Sequence, residues 1–455
     1  MLPTRFATRI GRGVATRIGR GVATTIARGV ATTIERGVAT TIERGVDQWA
    51  PVLVFAGLPT LGLVAGPAYS SMIIGLAVVQ LLSGLAAGRG LPPIDRPLAA
   101  IAGLFLVLCW ASVTWSIDPR ESARAALGLT GVLVALLVFR AGRSDRPEVI
   151  ETLYRVLLAA TLAGIAVACV DVWLGYPLES AISTKPGVHA ATKYNRGFDY
   201  LILIAWPLLA HVWWRRRWWA VWALGLAMAV MLAVTQSLAA RVAVALGVGV
   251  LLLAWAVPRI IGTGLVWGVT VSVAALPVTL RLLAAQETAL VPFLKGSAIN
   301  RLEIWDYMTA RAFERPILGW GLRTATHLPI RPDELVRYIY TDARGIYPHN
   351  QWLELWVELG ALGAALGLVF ALLLLHRIRL LPEALRPFAY AALTSAMTVA
   401  SVNYEVVTDS WWCALAACAV LFGILGRLLA SATGTAIPSA APHPRRPPGV
   451  DGRRA

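Results

Sequence analysis

The chain is poor in charge and poorer still in usable cysteine. Charged residues make up 15% of its 455 positions against 57% apolar ones, too few to clothe an ordinary soluble domain of this size. Its four cysteines, Cys109, Cys169, Cys413 and Cys418, all fall inside apolar runs and show no Cys-x-x-Cys spacing. That excludes a disulfide framework and a zinc site and leaves them as small core residues. No short apolar segment of the signal-peptide kind precedes Gln48. No Asp-rich cation motif stands out anywhere.

What the chain has instead is long apolar runs, several exceeding the roughly 18 residues that mark a transmembrane helix. Hydropathy places about twelve spans, near 49–66, 69–87, 97–115, 123–140, 152–174, 198–214, 218–236, 239–257, 260–280, 351–375, 387–403 and 410–430. The fold class expected is all-α, a polytopic membrane bundle with one large hydrophilic loop containing short helices. A net charge of +16 would suggest nucleic acid in a soluble protein, but here the arginines cluster at helix ends. With the N-terminus in the cytoplasm, Arg89 and Arg96, then Arg140, Arg143 and Arg146, then Arg215, Arg216 and Arg217, then Arg259, then Arg377, Arg379 and Arg386 all face the same side. The positive-inside rule then puts both termini in the cytoplasm and the long loop, about 281–350, outside. Trp213, Trp214, Trp218, Trp219, Trp411 and Trp412 read as interfacial anchors.

The two ends differ from this body. Residues 1–48 form a basic extension containing five copies of an eight-residue unit, with Ile10, Ile18, Ile26, Ile34 and Ile42 and with Arg12, Arg20, Arg28, Arg36 and Arg44 in register. Apolar residues every four positions drift around a helix, and one glycine per unit weakens it, so a loose surface helix and a disordered segment touching anionic lipid both fit. The tail 431–455, with Pro438, Pro442, Pro444, Pro447 and Pro448 among Ala, Gly and Arg, has the composition of a disordered segment. Catalysis is sought between them, in 49–430.

Arg241 stands just inside the eighth span at its outer end. An arginine in mid-membrane costs roughly 2.5–3.5 kcal/mol, so it either snorkels to the interface or meets a partner or anionic ligand. In the loop, Asn300 and Glu303 have capping-box spacing for a short amphipathic helix to about Phe313, and Arg301, Trp305, Met308 and Ala312 share one of its faces. A loop helix lying on the bilayer and one wall of a cleft are both consistent with that face. Pro316-Ile317-Leu318-Gly319-Trp320-Gly321 then makes a tight turn whose glycines permit close backbone approach. His349 precedes the helix that starts at Gln351. A lone histidine there is commonly a surface or capping residue, but the helix dipole disfavours its imidazolium and leaves a neutral base near pH 7. Gly360, Gly363 and Gly367 follow at a spacing suited to close helix packing.

Arg301-x-x-x-Trp305, then Pro316 to Gly321, then His349-Asn350-x-x-Leu353 with Glu358-Leu359-Gly360-x-x-Gly363, resembles the signature of the O-antigen ligase and polymerase superfamily. The resemblance covers about Trp49 to Ala430. It implies a GT-C-like bacterial inner-membrane glycosyltransferase with a periplasmic loop, taking a glycan from an undecaprenyl diphosphate carrier to an acceptor hydroxyl, either lipid A-core or a growing glycan. By it, His349, Arg301 and Arg241 match essential catalytic residues, and Tyr194-Asn195-Arg196-Gly197 matches the segment leading into the sixth span. Ala239-Ala240 departs from the pattern, which often has a small polar residue before that arginine. The substrate-binding candidates are Asn350, Trp305, Asn195, Arg196, Gly319 and Gly321, with Glu303, Asp306 and Glu354 as other bases or orienting groups. The expected chemistry is an inverting transfer without cofactor or metal, the arginines holding the diphosphate and His349 taking the acceptor proton. The expected partners are the carrier-linked donor, the acceptor and membrane lipid, not nucleic acid. A polymerase of the same superfamily is the alternative within the enzyme class. A transporter or flippase using Asp171 and Arg241 is the alternative outside it.

Overall fold

A computed structural model describes Gly45 and residues 48–433, apart from 64–65, 87, 89–90, 92–93, 140–145, 183–189, 287–295, 333 and 335–346. The octapeptide repeats, apart from Gly45, and the tail beyond Thr433 lie outside the described residues, as do Arg89, Arg140 and Arg143. Among the described residues there is helix and no strand. Seven helices are long and apolar enough to cross a membrane: Gly66–Ala86, Pro119–Val138, Pro147–Trp173, Tyr194–Trp214, Leu238–Ala256, Gly360–Arg379 and Asp409–Ala432. An eighth results if Pro258–Ala274 and Leu276–Ala284, bent by 65° at their junction, count as one. Gln48–Leu63, Arg96–Ser112 and Trp218–Val234 are shorter apolar helices. This is an all-α polytopic membrane protein, though the count of twelve spans is not reached on those criteria. Arg386–Ala400, read as a span, has 15 residues. At 1.5 Å per residue it reaches about 22 Å, short of a ~30 Å hydrocarbon core.

The bundle is built around Tyr194–Trp214, whose apolar window is 83% buried where that of Gly66–Ala86 is 28% buried. Arg386–Ala400 packs against it and against Leu238–Ala256. Small residues make that junction possible: a Cβ on Gly247 would lie 2.5 Å from Ser395 Oγ and 2.6 Å from the Trp206 ring. Ser395 Oγ accepts from Trp206 Nε1 at 3.1 Å and donates to the Ala243 carbonyl at 2.9 Å, so three helices share one hydroxyl.

Two buried carboxylates of the bundle, Glu151 and Asp171, have several partners each. Glu151 is buried against Arg215 and Arg217 of the triple-arginine turn, with His211 Nε2 3.3 Å away, so these arginines do more than mark orientation. Asp171 accepts from the amides of Leu178 and Glu179 at 2.6 and 3.3 Å and from the Tyr194 hydroxyl at 2.6 Å. It caps the short helix Pro177–Ile182.

The described residues of the long hydrophilic loop belong to a helical module. The chain turns at Ala275, just before Leu276-Pro277, where a residue without an amide proton breaks the helical ladder. Leu276–Ala284 then lies along the loop helix Gly296–Glu314, with Arg281 Nη1 2.5 Å from Asp306 Oδ1. That loop helix begins before Asn300, so Asn300 sits inside it and not at its cap. Leu280, Ile304, Tyr307, Met308, Ala312, Trp320, Leu353 and Val357 form the module's own apolar core. Fully burying a side chain such as Met308 stabilises by about 1.5–3 kcal/mol. Buried Arg311 pairs with Glu314 and Glu334, and its carbonyl accepts from Trp320 Nε1 at 2.9 Å.

The span expected at 351–375 is two helices, Gln351–Glu358 and Gly360–Arg379, broken where Gly360 takes φ +63°. Sequence periodicity does not show the cause, which is distant in the chain. Trp320 and Gly321 donate backbone bonds to the Val357 and Glu358 carbonyls at 3.0 and 2.8 Å, and Ala361 donates to the Pro316 carbonyl at 2.8 Å. The glycine series then serves the pair itself. A Cβ on Gly367 would lie 2.7 Å from Leu355 and 3.2 Å from the Trp352 ring, because the short helix folds back over the span that follows it.

Candidate active site

His349 occupies the residue before the cap of Gln351–Glu358. Asn350 is the cap: it is buried, and its Oδ1 accepts from the amides of Trp352 and Leu353 at 3.1 and 3.0 Å. His349 has φ +51°, a left-handed conformation that a branchless glycine would adopt more easily. Two contacts hold it there. Trp305 Nε1 donates to the Pro348 carbonyl at 2.9 Å, and the Tyr347 ring lies 4.2 Å from the imidazole centroid to centroid. The half-buried indole of Trp305 thus fixes the backbone immediately before the histidine.

Arg301, one turn before Trp305 on the loop helix, is half-buried, and its Nε has no hydrogen-bond partner among the described residues. Arg196 enters from the membrane domain, near the start of the central helix, and its Nη2 donates to the Tyr347 hydroxyl at 3.3 Å. Burial, then the Arg301 charge, then that of Arg196 lower the His349 imidazole to about 4. Arg301 is itself lowered by burial, an effect opposed by Tyr347. Among the described residues neither Arg196 nor Arg301 is in a salt bridge. The arrangement is a neutral imidazole beside two guanidinium groups that are in no salt bridge among the described residues, Arg196 lying within electrostatic reach of Asp199, and it suits an anionic group next to a proton to be removed.

Arg241 stands at one remove. Its Nε donates to the Leu232 carbonyl at 3.0 Å and its Nη2 to the Thr235 carbonyl at 2.7 Å, closing the end of the preceding helix. Thr235 Oγ1 in turn donates to Asn195 Oδ1 at 2.8 Å, so Arg241 is joined to the residue before Arg196 through one hydroxyl. The structure brings His349, Arg301, Arg196 and Trp305 together. It links Asn195 and Arg241 to them at the back.

Gly319 and Gly321 use their freedom on backbone packing. Gly319 has φ +68° and Gly321 φ +108°. A Cβ on the first would lie 2.4 Å from the Glu358 backbone, and one on the second 2.5 Å from Ser116. Ser122 Oγ donates to the Leu322 carbonyl at 2.6 Å and Trp115 Nε1 to the Leu318 carbonyl at 3.1 Å, so this turn joins the module to the membrane domain. Of the other carboxylates, Asp306 is held by Arg281, Glu303 is buried, and Glu354 accepts from the Val406 amide at 2.7 Å. Glu358 accepts from the Arg323 and Ala325 amides at 2.7 and 3.1 Å. Burial raises both Glu354 and Glu358.

Sequence reasoning missed Tyr347 as a contact of both the base and an arginine. The Tyr-Pro-His-Asn run contained it, but only the left-handed turn at His349 sets the two rings together. Glu358 was visible as part of Glu-Leu-Gly, and nothing local could show the amides it receives.

Fold and site together define a polytopic α-helical membrane protein that presents a histidine near two arginines, one on a helical module and one on the membrane domain. Residues 223–368, about a third of the chain, match the O-antigen ligase family, and the family read from the loop motif is borne out across that stretch. The matched region includes Arg241, Arg301 and His349 but stops short of Arg196. The chain is also similar to proteins named as candidate polysaccharide ligases in Rickettsia. It is 28% identical over 126 residues to one from Rickettsia typhi, covering 26% of this chain and 30% of that protein. It is 28% identical over 119 residues to one from Rickettsia conorii, covering 26% and 29% respectively. A longer match, 23% identical over 326 residues, covers 68% of this chain and 76% of a protein from Rickettsia bellii. The chain therefore spans less than a third of the first two relatives' length.

Proposed function

We propose that this protein is a glycosyltransferase of the O-antigen ligase type. It moves a glycan from a polyprenyl diphosphate carrier, undecaprenyl diphosphate in bacteria, to an acceptor hydroxyl at the outer face of the inner membrane, with both termini cytoplasmic. The observation that carries this reading is the meeting of His349 with the guanidinium groups of Arg301 and Arg196, neither of which is in a salt bridge among the described residues. In the reaction, the acceptor oxygen attacks the anomeric carbon as the bond from that carbon to the diphosphate oxygen breaks. The hydroxyl proton passes to the His349 imidazole, and the electron pair leaves with the diphosphate, where Arg301 and Arg196 stabilise it. Attack opposite the leaving group inverts the anomeric centre. Two guanidinium groups provide fixed, bidentate donors for that charge, so no metal step is required. Arg241 supports the diphosphate wall through Thr235 and Asn195.

An apolar cleft of about 240 Å³ is open to the isoprenoid chain. Leu265, Val269, Leu393 and Met397 line it, together with Trp352, three residues beyond His349. The transporter reading finds less support, since Asp171 is committed to capping a helix and to Tyr194.

The test is purified protein in lipid nanodiscs with a polyprenyl-diphosphate glycan and either lipid A-core or a second carrier-linked glycan as acceptor. A new glycosidic bond to the first acceptor supports the ligase, and elongation of the second the polymerase. Movement of donor across liposomes with no new bond would overturn the enzyme reading.

A further inference from the structure

Four consecutive residues in the turn before the last helix each make a polar contact with a different partner. Asn403 Nδ2 donates to Asp199 Oδ2 at 2.9 Å, and the Tyr404 hydroxyl donates to the Arg196 carbonyl at 3.3 Å. Glu405 pairs with Arg323, and the Val406 amide donates to Glu354 Oε2 at 2.7 Å. The first two contacts go to the central helix and hold the residue that carries one guanidinium of the site. The second two go to the loop module, one of them directly to the helix that His349 precedes.

Two of its four side chains are buried and packed in place. Tyr404 and Val406 are each 1% exposed, and the Tyr404 ring stacks on Trp411 at 4.3 Å. Trp412 Nε1 donates to the Val406 carbonyl at 2.7 Å. The ionic contact is also largely withdrawn from water, with the Glu405 side chain 13% and that of Arg323 31% exposed. It therefore couples its partners more firmly than a surface pair would. Arg323 is fixed in turn: its φ is +64°, and its amide donates to Glu358 at the far end of the short helix. The short helix is thus held at both ends, through Glu354 to Val406 and through Glu358 and Arg323 to Glu405.

We propose that Asn403–Val406 is a positioning strap that sets the separation of Arg196 from His349, with Glu405 as its positioning residue. The proposal rests on the reading above, in which Arg196 faces the donor diphosphate and His349 the acceptor. Neither Glu405 nor Arg323 touches substrate. Their contribution is the registration of two bodies, one in the membrane and one above it, and misplacing reacting groups by about 1 Å can cost roughly 100-fold in rate.

The test uses the full chain in nanodiscs with nitroxide labels at Leu238→Cys and Phe313→Cys, both exposed, one on the membrane domain and one on the loop module, in a Cys169→Ser background. The parent should give one narrow interspin distance. Glu405→Gln and Arg323→Gln should each broaden or shift it, and the exchanged pair Glu405→Arg with Arg323→Glu should restore it. Tyr404→Phe, which keeps the ring stack and loses only the hydroxyl, should act in the same direction with less effect. Glycan transfer should follow, kcat falling roughly 10- to 100-fold with donor KM held within about twofold and recovering in the exchanged pair. An unchanged distance distribution in both single variants overturns the strap, whatever happens to the rate. A distance response in a protein that transfers no glycan supports the strap and overturns the catalytic reading instead.

Discussion

Arg196 Nη2 donates to the Tyr347 hydroxyl at 3.3 Å, and the ring of that tyrosine lies 4.2 Å from His349. One side chain therefore joins the central membrane helix to the base. The charge of Arg196 reaches the imidazole as well, adding to that of Arg301, and both disfavour its protonation. The acid limb of kcat/KM, which reports the free enzyme, should accordingly lie near pH 4, well below the usual imidazole value of 6.5. Arg196→Gln and Arg301→Gln each remove a charge that opposes the imidazolium, so each should move that limb upward. The limb in kcat should lie higher than that in kcat/KM, because the bound diphosphate places an anion beside the ring. Full pH–rate profiles of the parent and the two variants check all three shifts.

His349→Ala removes the proton acceptor without emptying the diphosphate site. Transfer should fall by about 10²–10⁴ while the donor still binds. Steady-state rates together with equilibrium binding of a carrier-diphosphate analogue separate the two effects, and a variant that transfers at the parent rate would sink the mechanism.

Trp305→Phe keeps an aromatic ring, though a smaller one, and deletes the donor to the Pro348 carbonyl. A hydrogen bond of this kind contributes about 1 kcal/mol net, so kcat should fall roughly fivefold. The melting temperature in detergent should also fall modestly, since Trp305 packs against the module's apolar core.

Gly360→Ala places a Cβ 2.3 Å from the Ile317 backbone at a residue with φ +63°. Folded yield and melting temperature should both drop sharply. Gly264→Ala is the matched control, with no neighbour within 4 Å of the added carbon. Alanine there should be neutral or stabilising by up to about 1 kcal/mol.

The parts of this protein that are legible in its sequence are those that depend on local composition. Apolar run length gives the helical class, and the order of Arg301, Trp305, the Pro316–Gly321 turn and His349 gives the resemblance to the O-antigen ligase family that residues 223–368 also match. Span boundaries are less legible because hydropathy measures solvent preference and not direction. It joins Gln351–Glu358 to Gly360–Arg379, although backbone bonds from Trp320 and Gly321 divide them. The bend before Pro277 had a local signal in the proline itself. Asn300 has the chemistry of a cap, yet the helix continues upstream of it, so its type alone does not mark a boundary. Arg241 and Arg196 look equally suited to an anion in the sequence. The carbonyls of Leu232 and Thr235 occupy the first, and only the second reaches Tyr347.

The fold-back of Gln351–Glu358 over Gly363 and Gly367 also ties the site to its bilayer. The short helix and the span that follows it pack closely, forming one bent rod that is clamped to Val406 and Arg323 and carries the imidazole at its outer end. A span adapts to hydrocarbon thickness by tilting. Under the mechanism proposed above, tilt of Gly360–Arg379 would be passed to the residue that takes the acceptor proton, so transfer rates in nanodiscs of differing lipid chain length should differ.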